Sequence, residues 1–104
     1  MAANIEAVKE EAKRYAHEVR SHLPVEKAYL FGSYAKGTAD ELSDVDICFF
    51  LRSYGGKERV DVGSHLLRIA RGYKAYFEPL VFETSEIELN NPFVNEILLT
   101  GVEI

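Results

Sequence analysis

Two aspartates separated by one residue follow a Gly-Ser pair in the first half of the sequence. Asp44 and Asp46 precede one apolar run, and Gly32-Ser33 ends an earlier one. Since side chains alternate along a strand, both aspartates are expected on one side, where two ionised carboxylates repel each other. A divalent cation relieves this repulsion, and Mg2+ commonly binds one or two carboxylates together with substrate phosphates. The pair therefore predicts a metal site for phosphate chemistry.

The Gly-Ser pair predicts the complementary anion site. A glycine in a strand-to-helix turn lets backbone N–H groups approach a phosphate, and Ser33 adds a hydroxyl donor. Lys36 follows on the same side of a helical turn and can reach the same anion, although an exposed lysine needs no such function. Gly32, Ser33 and Lys36 are therefore the candidate phosphate-binding residues.

Glu78 is the candidate for a third carboxylate. It lies within the apolar segment YFEPLVF, where a charge calls for an explanation. If its strand neighbours the strand of Asp46, it can help to hold a second metal ion or deprotonate an attacking hydroxyl. The alternative is a charge that protects an edge strand from pairing with another sheet. Three further glutamates stand in a more polar stretch and are weaker candidates: Glu83, Glu86 and Glu88.

A small α/β fold must position these side chains. Apolar residues at steps of three and four predict a first helix from Asn4 to His22, which Pro24 ends. The predicted strands are Val25 to Phe31, Asp44 to Leu51 and Lys74 to Phe82. A helical turn after Gly32, a helix from Arg59 to Gly72, and helical segments capped by Ser85 and beginning near Pro92 complete the order α-β-α-β-α-β-α. The segment TADELS is a predicted polar loop.

The site assembles only if the first two strands run antiparallel, because Gly32-Ser33 ends one strand and Asp44 begins the next. A helix joins the second and third strands, which favours a parallel crossover. Pro79 lacks an N–H group, so the third strand is expected at an edge. We expect an α/β (α+β) fold with a small mixed three-stranded sheet, helices mainly on one face, and one domain spanning residues 1–104.

Composition narrows the classes of function. The 104 residues carry a formal net charge of −5 from 17 acidic and 12 basic residues, which argues against binding nucleic acid through many phosphates. The N-terminal segment is charged throughout, so neither a signal peptide nor a membrane span is expected. The single cysteine, Cys48, excludes an internal disulfide and fits a reducing cytoplasm. For so short a chain, we expect a partner to contribute to the substrate pocket, in a homo- or hetero-oligomer.

The segment FGSYAKGTADELSDVDI resembles the signature of the minimal nucleotidyltransferases, small members of the DNA polymerase beta-like superfamily. That signature is Gly-Ser, a spacer of about ten residues, and Asp-x-Asp. Here the spacer runs from Tyr34 to Ser43. FEPLVF resembles the family's third-carboxylate strand, and PFVNEILLTGVEI resembles its closing helix. The sequence departs from the pattern at Glu78, where many active relatives have Asp.

This resemblance implies Mg2+-dependent transfer of AMP from ATP to an acceptor hydroxyl, with release of pyrophosphate. It implies that Gly32 and Ser33 bind the triphosphate, and that Asp44, Asp46 and Glu78 are the catalytic triad that holds two metal ions. Many members this short are similar to antitoxins encoded beside a HEPN-domain ribonuclease toxin, which they silence by adenylylating a tyrosine. The resemblance therefore implies a HEPN toxin as partner.

Two other functions stay open at this point. One is a non-catalytic, nucleotide-binding antitoxin that neutralises its partner by binding alone. The other is a nucleotidyltransferase of the antibiotic-modifying type, which the short chain disfavours. Three converging carboxylates favour catalysis, because a pure binding module has no physical need for them. The acceptor, the preferred nucleotide and the choice between Mg2+ and Mn2+ also stay open.

Overall fold

The computed structural model describes residues 5–39 and 44–104. The predicted helix start at Asn4 and the part of the polar loop from Asp40 to Ser43 lie outside the described residues. The elements in chain order are α1 (Ile5–His22), β1 (Val25–Phe31), α2 (Ser33–Lys36), β2 (Val45–Leu51), α3 (Arg59–Ala70), β3 (Phe77–Glu83), a 3-10 helix (Thr84–Leu89), α4 (Pro92–Thr100) and β4 (Val102–Glu103). The predicted elements are thus present, with boundaries that agree to within three residues.

The sheet has the strand order β3-β2-β1-β4. The antiparallel pairing of β1 with β2, the parallel pairing of β2 with β3, and the edge position of β3 are confirmed. The predicted number of three strands is wrong, because β4 pairs antiparallel with Tyr29 and Leu30 of β1. Two residues are too short for a pattern of alternation to reveal a strand.

Gly101 ends α4 as predicted and turns the chain into β4. Its N–H donates to the carbonyl of Ile97 at 2.8 Å. A Cβ at this position would lie 2.5 Å from that carbonyl oxygen and 3.2 Å from the carbonyl oxygen of Leu30. The missing side chain therefore permits the close approach that places β4 beside β1.

Helices cover both faces of the sheet, and not mainly one as predicted. On the first, which we call the α1/α3 face, strand residues pack against α1 and α3: Ala28, Leu30, Val45, Ile47, Phe49, Phe77 and Val81. On the second, the α4 face, Val94 and Ile97 of α4 pack against Tyr29, Cys48, Phe50 and Phe82. This prediction was wrong because α4 is short and its sequence does not indicate which face of the sheet it covers.

The segment after β3 forms a 3-10 helix, and its cap is Glu83 and not the predicted Ser85. Glu83 and Glu86 form a reciprocal capping box, in which the Glu83 N–H donates to Glu86 Oε2 at 2.8 Å. The prediction for Pro92 is confirmed, since Pro92 is the first residue of α4 and Asn91 caps it by accepting the Phe93 N–H at 2.8 Å. Within the described ranges, no helix is long and apolar enough to cross a bilayer.

Candidate active site

The turn after β1 brings Gly32 against the carboxylate of Asp46. Gly32 has φ +73° and ψ −147°, a conformation that is essentially restricted to glycine. A Cβ at this position would overlap Asp46 Oδ2. The predicted role of Gly32 was to let an anion approach the backbone; the structure adds that its missing side chain makes room for Asp46.

Asp46 and Glu78 meet across neighbouring strands. Asp46 lies opposite Phe31 in the β1–β2 pair and opposite Glu78 in the β2–β3 pair. Val45 is buried on the α1/α3 face, so the alternation of the strand turns Asp46 to the α4 face. Glu78 lies on the same side, since it alternates with the core residue Val81 and shares its face with Phe82. The structure therefore brings these two predicted residues together.

The Asp46 carboxyl is electrostatically strained. Its pKa is raised from 3.8 to about 6, first by partial burial, then by a hydrogen bond with the Glu78 side chain, and then by the charges of Glu78 and Asp44. Two carboxyl groups form a hydrogen bond only when one of them carries a proton. The metal-free pair therefore retains a proton to higher pH than an isolated aspartate does, as expected for carboxylates crowded into one site.

Asp44 stands just before β2 and is exposed. Its charge contributes to the raised pKa of Asp46, which places it near the pair. Across the described residues, no three His, Cys, Asp or Glu side chains already stand in a geometry that could hold a metal ion. The donor chemistry nevertheless fits Mg2+, because carboxylate oxygens are its preferred protein ligands and a cation would relieve the repulsion that the pKa reports.

Ser33 and Lys36 lie on α2, directly after Gly32. The Ser33 carbonyl accepts the N–H groups of Gly37 and Thr38, and the Lys36 N–H donates to the Gly32 carbonyl at 3.0 Å. The Lys36 side chain reaches towards α4, where its Nζ lies 3.7 Å from Glu96 Oε1. Lys36 thus lies beside the Gly32 turn, but in this structure its charge pairs with a carboxylate.

Two cavities flank the Gly32 turn. A cleft of about 410 Å3 contains Asp46 and Glu78 between mainly apolar walls: Phe31, Leu67, Pro79, Leu80 and Phe93. A cavity of about 150 Å3 contains Gly32 and Lys36 and is completed by Phe31, Phe93, Glu96, Ile97 and Thr100. Phe31 and Phe93 were not predicted as site residues. Their apolar character suggested core packing, and only the position of Phe31 next to Gly32 could have indicated otherwise.

The weaker candidates Glu83 and Glu86 have structural partners. Glu83 Oε2 accepts the Tyr54 N–H at 3.1 Å, and Glu86 Oε1 pairs with Arg59 at 2.5 Å. The Arg59 guanidinium lowers the pKa of Glu86, although partial burial opposes it. Both carboxylates lie near the C-terminal end of β3, whereas Glu78 lies near its N-terminal end. Their contacts stabilise the connection between β3 and the 3-10 helix.

Comparison with known proteins agrees with this geometry. The family model described as "Nucleotidyltransferase domain" matches residues 12–98. A Methanocaldococcus jannaschii protein named "Putative protein adenylyltransferase MJ0141" is 29% identical over 101 residues, which cover 96% of this chain and 97% of that protein. A crystal structure titled as a "putative nucleotidyltransferase" from Sulfolobus solfataricus has the same fold, with a TM-score of 0.63, 23% identity, and coverage of 90% of this chain and 76% of that chain.

The family match spans most of the chain, from the middle of α1 to α4, and includes the Gly32 turn, Asp44, Asp46 and Glu78. The predicted fold class is confirmed, with one additional strand. This chain belongs to the nucleotidyltransferase domain family.

Proposed function

We propose that this protein is a Mg2+-dependent nucleotidyltransferase that transfers AMP from ATP to an acceptor hydroxyl. The observation that carries the proposal is the Asp46–Glu78 carboxyl pair beside the Gly32 turn, within a cleft large enough for a small molecule. Partial burial and the neighbouring Glu78 raise the pKa of Asp46, which is unfavourable in the metal-free fold, and a carboxyl group perturbed in this way within a cleft is typical of a functional site.

The residues divide the work as follows. Gly32 and Ser33, with Lys36, bind the terminal phosphates, while Asp44, Asp46 and Glu78 supply the oxygen ligands for two ions. Mg2+ at these ligands would activate the acceptor oxygen and neutralise the charge of the phosphates. Glu78 is exposed and can take the proton of the acceptor hydroxyl. The acceptor oxygen bonds to the α-phosphorus, the α–β phosphoanhydride bond breaks, and pyrophosphate leaves with the electron pair.

The proposed acceptor is a tyrosine of a HEPN-domain toxin, so that transfer of AMP silences the toxin and the chain acts as its antitoxin. One observation supports a protein acceptor: the Methanocaldococcus jannaschii relative carries the name of a protein adenylyltransferase.

The proposal is tested by incubating the protein with the product of the adjacent gene, Mg2+ and ATP labelled at the α-phosphate. We expect label on a tyrosine of the partner, and loss of that label with Asp44→Ala or Asp46→Ala. Label that persists in both variants would rule out the mechanism. Complex formation that silences the partner without label, unchanged by both substitutions, would favour the non-catalytic binding module instead.

A further inference from the structure

Two aromatic side chains stand at the junction of the two cavities. The smaller cavity contains Gly32 and Lys36, and the larger contains Asp46 and Glu78, but Phe31 and Phe93 line both. A ligand that occupies both cavities therefore lies against these rings.

The order of groups in ATP assigns each part of the nucleotide to a cavity, given the proposed function. The terminal phosphates lie at Gly32 and Lys36. The α-phosphate lies next to Asp46, because the bond that breaks joins the α-phosphorus to the terminal phosphates. The cavity of about 150 Å3 is too small for a whole nucleotide, whereas the cleft of about 410 Å3 is within the usual range for small ligands. The nucleoside therefore continues from the α-phosphate into the larger cleft.

Phe93 is placed to meet the base in that cleft. It is 47% exposed, whereas Val94 and Ile97 of the same helix are buried in the core. Its ring contacts Phe31 edge-on, with centroids 6.0 Å apart and an interplanar angle of 84°. Its N–H group donates to the Asn91 side chain, which fixes the first turn of α4. Phe31 and the first turn of α4 thus fix the position of the Phe93 ring, and its exposed part remains accessible to a ligand.

We propose that Phe93, supported by Phe31, is the platform on which the purine of ATP stacks. Base–aromatic stacking uses the π-face that every base has, so it needs no hydrogen-bond partners in this largely apolar cleft. Phe93 then contributes to the affinity for the nucleoside part of ATP and not to the affinity for its phosphates.

The experiment compares two probes in the presence of Mg2+: ATP, and inorganic tripolyphosphate, which lacks the nucleoside. We expect Phe93→Ala to weaken ATP binding about tenfold and to leave tripolyphosphate binding unchanged. The matched control is Leu99→Ala, since Leu99 is 85% exposed on the same helix and lines neither cavity. This control is expected to bind both probes like the wild type.

A second variant keeps the aromatic ring. The chain contains no tryptophan, so Phe93→Trp introduces a single indole whose fluorescence reports on stacking. We expect ATP but not tripolyphosphate to quench it, and neither probe to quench the indole of Leu99→Trp. ATP binding that is unaffected by Phe93→Ala, or an indole that ATP does not quench, overturns the assignment. If the wild-type protein binds neither probe, the proposed function fails, and the assignment fails with it.

Discussion

The two faces of the sheet differ in whether their polar side chains have favourable partners. On the α1/α3 face, Tyr15 is fully buried, and its hydroxyl donates to the Leu66 carbonyl at 2.8 Å. Its ring stacks on Phe77 with centroids 4.7 Å apart. On the α4 face, Asp46 is only half-buried, yet its side chain forms a hydrogen bond with another carboxyl group, that of Glu78. The first face satisfies its buried hydroxyl, whereas the second places two like charges together.

This difference indicates where the fold gives up stability. A satisfied buried hydroxyl strengthens the core, and burial also raises the pKa of Tyr15 so that it stays neutral. A carboxylate that is crowded by other carboxylates destabilises the metal-free fold, and it contributes to stability only when a cation binds. We therefore expect substitutions on the α1/α3 face to change stability alone, and substitutions at Asp46 or Gly32 to change activity most.

The largest expected effect is that of Asp46→Asn. We expect nucleotidyl transfer to fall about a thousandfold, because a proposed ligand for the ions is lost. In metal-free buffer at pH 7, the free energy of unfolding of this variant should be about 1 kcal/mol higher than that of the wild type. The neutral amide removes the cost of partly burying a charge and the repulsion from Glu78 and Asp44, and solvent screening keeps the gain this small. Urea unfolding with a chelator present, alongside a transfer assay, measures both.

The stability gain of Asp46→Asn should depend on pH. The folded-state pKa of Asp46 is about 6, above its ordinary value of 3.8, so its protonated form stabilises the wild type below about pH 4 and this contribution is lost as the pH rises through 6. The variant should thus gain little at pH 4 and its full amount at pH 7. Mg2+ should stabilise only the wild type. A variant that is less stable than the wild type at pH 7 without metal would contradict the strained-pair interpretation.

Gly32→Ala should have the next largest effect. The residue combines a positive φ with a Cβ position that Asp46 Oδ2 occupies, so the variant must distort the turn or displace the carboxylate. We expect a loss of about 2–3 kcal/mol in the free energy of unfolding and about a hundredfold loss in transfer rate.

Gly37→Ala is the control for backbone strain. Gly37 also has a positive φ, of +77°, but a Cβ there meets nothing within 4 Å. Its substitution should cost about 1 kcal/mol of stability and leave the transfer rate nearly unchanged. Equal losses of activity in the two variants would mean that the approach of Gly32 to Asp46 has no special importance.

The sequence predicted the proximity of Asp46 and Glu78 better than it predicted the surroundings of these two residues. Local signals were sufficient for β1, whose apolar run ends at a glycine, and for the crossover from β2 to β3, which are joined by a helix. From these, the meeting of Asp46 with Glu78 followed by strand alternation and adjacency. Such arguments need only periodicity and topology, which one sequence carries.

What the sequence did not reveal depends on contacts between distant residues. The packing of α4 on the second face is one example, since it makes Phe93 a wall of the cleft and leaves Glu96 within 3.7 Å of Lys36. The capping box of Glu83 and Glu86 is another, because residue type alone favours Ser85 as the cap over Glu83. Neither arrangement has a periodic signature.

A smaller effect is expected on the α1/α3 face, from Tyr15→Phe. The substitution keeps the ring but removes the donor to the buried Leu66 carbonyl, so we expect a loss of about 1–3 kcal/mol in the free energy of unfolding. ATP binding should not change, because the Tyr15 ring packs on the α1/α3 face. Tyr73→Phe is the comparison: its hydroxyl donates to Glu18 at 2.6 Å in an exposed position, so its loss should cost less. A change in ATP affinity with Tyr15→Phe would show that the two faces are coupled.

The smallest expected effect concerns Lys36 and Glu96. Their side chains are 54% and 58% exposed, so the ion pair contributes little to stability, but it competes with a phosphate for the lysine. We expect Lys36→Gln to weaken ATP binding about threefold and Glu96→Gln to strengthen it about twofold. In the Lys36→Gln background, Glu96→Gln should have no effect on titration with ATP, because its influence acts through the lysine. If Glu96→Gln changes ATP affinity equally in both backgrounds, Glu96 simply repels the nucleotide, and Lys36 is not part of the phosphate site.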